Sequence, residues 1–89
     1  MFYNYVLFSL KDQEMYTGFT VDLQDRLKQH KEGKVKTTKN RRPLELIYYE
    51  ACMSEEDAVY REKYLKSSYG KRYLNKRLKV YLSNGRTFP

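Results

Sequence analysis

Tryptophan is absent from the sequence, cysteine and histidine occur once each, proline twice and glycine four times. A single cysteine, Cys52, excludes an internal disulfide and a cysteine-based metal cluster; between Ala51 and Met53 it reads as a small core residue with no catalytic role. Long apolar runs are missing too. The longest, Phe2 to Leu10, is interrupted by Asn4 and Ser9 and has neither the length of a membrane span nor the basic leader of a signal peptide, so the expectation is a cytoplasmic protein that does not enter a membrane. There is no internal repeat or low-complexity segment, and an apolar fraction of 40% with 33% charged residues argues against disorder. The 89 residues make one domain, able to bury roughly 60% of the unfolded chain's surface, so any binding and any chemistry share one scaffold.

Tyrosine and positive charge are what the chain has in excess. Ten residues are tyrosine, and the net charge of +7 is uneven: residues 1–25 sum to −3, 26–42 to +7, 43–69 to −3 and 70–89 to +6. Two basic runs separated by acidic segments suit a polyanion held by counterion release, although solvated basic faces are common. The clustering favours nucleic acid over an acidic protein or a membrane surface as partner.

Hydrophobic periodicity gives an α+β domain. Tyr3 to Phe8 and Met15 to Phe19, rich in aromatic and β-branched residues around the polar stretch Lys11 to Glu14, predict two antiparallel strands joined by a hairpin loop. Asp22, followed by Asp25, suits an N-cap; Leu23, Leu27 and the stem of Lys31 then recur at helical spacing before Gly33. A loop from Lys34 to Asn40 closes at Pro43, and Leu44 to Tyr49 reads as a third, buried strand. Ser54-Glu55-Glu56-Asp57 has the capping-box pattern and opens a second helix to about Ser67. With Gly70 as the break, Tyr73, Leu74, Leu78, Tyr81 and Leu82 mark one face of a third helix. The order is ββα-β-αα, a three-stranded antiparallel sheet packed with about three helices over residues 1–82, and residues 83–89 are expected to be a flexible tail.

Several residues sit awkwardly in a purely structural reading. Helical spacing places Glu62 between Ala58 and Leu65, on a stripe that should face the core and continue to Tyr69, where carboxylates are rare unless paired or metal-bound. A rim position or an arginine partner is the bland alternative. Arg26 and His30 lie four residues apart on one face of the first helix. A guanidinium there can grip a phosphate with paired hydrogen bonds, while a lone histidine at a helix end is more often a cap or a surface residue. Tyr5 and Tyr16 fall on neighbouring strands, where aromatic pairs commonly just stabilise a sheet, yet their phenols remain available as donors or proton routes.

Taken in order, these residues resemble the GIY-YIG nuclease superfamily, and the likeness extends nearly to Leu82. Tyr3-Asn4-Tyr5-Val6-Leu7 resembles the GIY motif and Tyr16-Thr17-Gly18 the YIG motif; Arg26, His30 and Glu62 follow in the family's order and spacing. Gly18 to Leu23, the Arg41-Arg42-Pro43 turn and Arg61 to Leu65 look especially like its short stand-alone bacterial branch. Tyr3 and Asn4 replace the glycine and isoleucine of GIY. Phe19 stands where the UvrC-like branch has a lysine, so a lysine-assisted mechanism is not carried over.

The resemblance implies a metal-dependent endonuclease. Glu62 would hold one Mg²⁺ or Mn²⁺, Tyr5 would deprotonate or orient the attacking water with Tyr16 in support, and Arg26 would stabilise the transition state. His30 is an auxiliary without an assigned task. Lys36, Lys39, Arg41 and Arg42 would reach phosphates flanking the cut, and Asn75 is a candidate phosphate neighbour on the third helix. DNA is favoured over RNA, with branched, flapped or single-stranded forms and weak sequence preference expected of so small a surface, in repair or recombination. The alternative is a non-cleaving nucleic-acid-binding module of the same fold, and a more distant rival is a basic domain bound to ribosomes.

Overall fold

The computed structural model describes residues 1–85. Its elements are β1 (Phe2–Ser9), β2 (Met15–Thr20), α1 (Leu23–Lys31), β3 (Leu44–Cys52), α2 (Glu55–Lys66) and α3 (Ser68–Arg77), with a 3₁₀ turn at Lys39–Arg41 and a wide turn at Tyr81–Gly85. The fold is the expected α+β arrangement. The sheet order is β2-β1-β3, antiparallel throughout, with Tyr5 opposite Gly18 on β2 and Tyr49 on β3.

Burial follows from that order. As the central strand, β1 is covered on both faces, and every residue from Asn4 to Ser9 is buried. Val6 packs with Leu65 of α2 and Leu74 of α3, against Met15, Ile47, Tyr48, Tyr73 and Leu78. Alternation sends Tyr5 to the opposite face, toward α1. Asn4, standing where an apolar residue is usual, is buried without penalty because its Nδ2 donates to the Ala58 carbonyl at 3.0 Å. That bond ties β1 to α2 one helical turn before Glu62.

Several expectations change. β3 is an edge strand rather than a buried one: it pairs only with β1, and Leu46 and Tyr49 are exposed. It also continues to Cys52, held to α2 by Arg61, whose guanidinium donates to both oxygens of Glu50 at 2.5 and 3.2 Å. The break between α2 and α3 falls at Ser67, not Gly70. Ser67 Oγ donates to the Tyr64 carbonyl and accepts from the Gly70 amide, ending one helix and capping the next. Gly70 lies inside α3, where a Cβ would sit 2.0 Å from the Tyr64 carbonyl oxygen and 2.4 Å from the Leu65 Cα. Its glycine serves close packing of the two helices rather than a turn. The Ala58–Leu65 stripe therefore stops before Tyr69, which is exposed, and Tyr81 and Leu82 lie beyond the end of α3.

Of the tail expected at 83–89, the last turn takes in residues up to Gly85, and residues 86–89 lie outside those described. Among the described residues no helix is long and apolar enough to cross a membrane.

Candidate active site

Gly18 opens the site. The Tyr5 ring crosses β2 directly over it, so closely that a Cβ at Gly18 would lie 2.4 Å from both Cζ and Oη of Tyr5. Passing through this gap, the Tyr5 hydroxyl meets His30 Nε2 at 2.7 Å. Tyr16, two residues before Gly18 and on the same face, closes the group, with its ring centroid 5.4 Å from that of His30 and 6.4 Å from that of Tyr5.

The first helix delivers the polar groups. Asp22 caps it by accepting from the Asp25 amide at 3.0 Å, which sets the phase so that Arg26 and His30 share the face turned to the sheet. Arg26 Nη1 donates to Gln29 Oε1 at 2.9 Å, and Gln29 in turn donates to Asp25 at 2.8 Å. Arg26 Nε is buried and has no hydrogen-bond partner among the described residues. An unfilled charged donor of this kind is costly, and an oxyanion would satisfy it. His30 is buried, and its Nδ1 lies 2.7 Å from Thr38 Oγ1.

Electrostatics follow from the crowding. Burial pushes the Tyr5 phenol up; the adjacent Arg26 guanidinium opposes this, and Tyr16 and Glu62 add to it. His30 is pulled down to about 4, first by burial and then by the charge of Arg26, so it is neutral at pH 7. Glu62 reaches the same neighbourhood from α2, half-buried with 25% of its side chain exposed and 3.1 Å from Lys66 Nζ. Its ion-pair partner is thus the lysine one turn on; the neighbouring Arg61 is committed to Glu50.

Tyr5, Tyr16, His30 and Arg26 are brought together, and Glu62 lies within electrostatic reach of the Tyr5 phenol. The basic loop is divided. Lys36 and Lys39 are exposed and make no ion pair among the described residues. Arg41 is bound to Asp12 at 2.6 Å and to the Glu14 carbonyl, and Arg42 donates to the carbonyls of Lys39 and Lys31. Those two guanidinia pin the loop to the β1–β2 hairpin and to α1. Asn75 is exposed at the hairpin end, in a small cleft with Gln13, Glu14 and Lys71, and is not brought to the cluster. Phe19 stacks on Phe2, so no ammonium comes from that position. A cavity of about 740 Å³, lined by Leu7, Leu27, Leu44 and Leu46 together with Lys11, Lys31, Lys39 and Arg42, meets the cluster only at His30.

Sequence reasoning missed Thr38, Gln29 and Lys66. Gln29 and Lys66 carried a faint signal, lying three and four residues from Arg26 and Glu62. Nothing in the sequence separates Thr38 from the exposed Thr37 beside it.

Among known proteins, the family model described as the GIY-YIG catalytic domain matches residues 1–77. The UPF0213 protein in the ldhD 5′ region of Pediococcus acidilactici is 38% identical over 87 residues, covering 94% of this chain and 84% of that protein. The UPF0213 protein YazA of Bacillus subtilis is 46% identical over 57 residues, covering 63% of this chain and 58% of its own. A UPF0213 protein of Clostridium perfringens is 40% identical over 67 residues, covering 74% and 71%. No solved structure gave a significant match.

Proposed function

The chain belongs to the GIY-YIG catalytic-domain family, and on that premise we propose that it is a divalent-metal-dependent endonuclease acting on DNA, with flapped or branched forms preferred and a role in repair or recombination. The observation that carries the reading is the unpartnered, buried Nε of Arg26 beside the Tyr5–His30–Tyr16 group. A structural arginine would have its donors filled; one left open next to a phenol suits a phosphate and an attacking water.

Arg26 grips the phosphate and balances the charge that grows on it in the transition state. Tyr5 orients the water and acts as its base in the phenolate form. The phenol first gives its own proton to solvent, Arg26 and the imidazole of His30 meet the negative charge on its oxygen, and the phenolate then takes the water's proton and returns to the neutral phenol. Tyr16 holds His30 by edge packing. Among the described residues no group of three or more His, Cys, Asp and Glu converges, so the protein donor set around Glu62 is sparse. One carboxylate, with water and phosphate oxygens for the rest, fits Mg²⁺ or Mn²⁺, which keep much of their hydration. Held by Glu62, the ion would supply Lewis-acid stabilisation of the leaving 3′ oxygen. Lys36 and Lys39 flank the cut as phosphate contacts.

The test is cleavage of a panel of duplex, flap, junction and single-stranded DNA and RNA with Mg²⁺ or Mn²⁺, stopped by chelation. Glu62→Gln keeps the side chain's size but loses the anionic ligand, and should abolish cutting with DNA binding retained. Arg26→Ala should cost about 10²–10³ in rate and Tyr5→Phe about 10² or more. Binding of the panel without cleavage in any divalent metal would replace this reading with the non-cleaving module.

A further inference from the structure

We propose that Thr38 is a positioning residue that fixes His30 in its Nε2–H tautomer, making the imidazole a standing hydrogen-bond donor to the Tyr5 oxygen rather than an acceptor of the Tyr5 proton. The task assigned to Tyr5 rests on the nuclease reading; the tautomer itself is measurable without substrate.

Few protons are shared here, in a closed space. Thr38 is 0% exposed and His30 1%. Thr38 Oγ1 lies 2.7 Å from His30 Nδ1, and Tyr5 Oη lies 2.7 Å from Nε2. A neutral imidazole offers one N–H and one lone pair, and a threonine hydroxyl carries one proton that must find an acceptor. Among the described residues that hydroxyl has one hydrogen-bond partner, Nδ1. With the imidazole proton on Nδ1, that N–H would donate to Oγ1, Tyr5 would donate to Nε2, and the Thr38 hydroxyl proton would be left without an acceptor behind the imidazole. With it on Nε2, Thr38 donates to Nδ1, Nε2–H donates to Tyr5 Oη, and the proton left without a protein acceptor is the phenol's, which lies on the side where the attacking water would bind rather than behind the imidazole.

The surroundings agree. The groups facing the imidazole are Tyr5, Tyr16, Thr38 and Arg26, none of which supplies a negative charge at neutral pH. A histidine meant to hold a second proton usually has a carboxylate behind it; this one has an alcohol at Nδ1 and feels the charge of Arg26. A fixed N–H aimed at Tyr5 instead stabilises the phenol oxygen whenever it becomes negative. Thr38 is itself well anchored, its amide donating to the Val35 carbonyl at 3.1 Å and its carbonyl accepting from the Arg41 amide at 2.9 Å.

Because His30 is the chain's single histidine, a long-range ¹H–¹⁵N correlation spectrum of the intact protein at pH 7 contains one imidazole. The expected result is a protonated Nε2 and an unprotonated Nδ1; the reverse overturns the proposal, whether or not the protein cuts DNA. Thr38→Ser keeps the hydroxyl, and should keep the tautomer and cleavage within about threefold of wild type. Thr38→Asp presents only acceptors, so it should move the proton to Nδ1 and slow cleavage at least about a hundredfold with DNA binding unchanged. If His30 were the base, the same carboxylate would strengthen it. Cleavage by a folded Thr38→Asp protein near the wild-type rate, with the tautomer inverted, therefore overturns the role. If that variant fails to fold, the wild-type spectrum and Thr38→Ser still decide. A wild-type protein that shows the Nε2–H tautomer but never cleaves DNA loses only the nuclease reading.

Discussion

His30 makes the fold sensitive to acid. Its pKa is about 4 in the folded chain, against roughly 6.5 when unfolded, because burial and Arg26 disfavour the cation. A depressed value means that the unfolded chain takes up the proton first as pH falls. The stabilisation is therefore complete above about 6.5, declines below it and is gone by about pH 4, worth on the order of 3 kcal/mol in all. Asp12 acts lower: its pKa is about 2, through the hydrogen bond from Arg41, so its contribution is lost only as pH falls from about 4 toward 2. Urea denaturation of wild type and His30→Gln at pH 4.5, 6 and 7.5 checks this. Wild-type stability should drop steeply across that range and that of the variant should stay nearly flat; parallel curves would mean that His30 titrates normally. The sequence showed which residue types were present and how they were spaced, which was enough to set His30 on the face of Arg26. It could not show burial, because a histidine ending a polar helix looks like a surface cap. Thr38, the partner that makes burial tolerable, arrives from a loop eight residues on, where no periodicity operates.

At the scale of elements, the strands, helices and their order were legible wherever an apolar rhythm and a cap coincided, as at Asp22 and Ser54. Misreadings came where one residue type serves two physical ends. A glycine after a helical run usually signals a stop, yet Gly70 sits inside α3 and serves the close approach of α2. An apolar run such as Leu44 to Tyr49 usually means a strand covered on both faces, yet nothing in the run says whether it has one neighbour or two. The correction at Gly70 yields a sharp expectation. Gly70→Ala favours the helix by intrinsic propensity, about 1 kcal/mol, but its methyl would meet the Tyr64 carbonyl and the Leu65 Cα, both backbone, at 2.0 and 2.4 Å. Backbone cannot swing aside as a side chain can, so strain should outweigh propensity and the variant should be less stable by about 1–3 kcal/mol. Chemical denaturation measures it. A stabilised Gly70→Ala would show that α2 and α3 pack less closely than described.

For the whole molecule, the uneven charge is the feature the sequence displayed most openly and explained least. The run at 26–42 sums to +7, but its cations are not equivalent once folded. Arg41 and Arg42 are engaged by Asp12, the Glu14 carbonyl and the carbonyls of Lys31 and Lys39, whereas Lys36 and Lys39 stand in solvent. A cation already paired with an anion, as Arg41 is with Asp12, releases fewer counterions from DNA, so the salt dependence of DNA binding should report the lysines more than Arg41. The double variant Lys36→Ala/Lys39→Ala should weaken binding to many sequences alike and make the slope of log K against log salt shallower by about 2, near 0.9 for each phosphate no longer neutralised. Arg41→Ala should act differently, lowering the melting temperature by freeing the loop from the β1–β2 hairpin and weakening binding with little change in slope. Fluorescence anisotropy over a range of salt concentrations, with a thermal melt of each variant, separates the two effects. Equal changes in slope for lysine and arginine variants would mean that the guanidinia leave their internal partners when DNA arrives, and that the loop rearranges on binding.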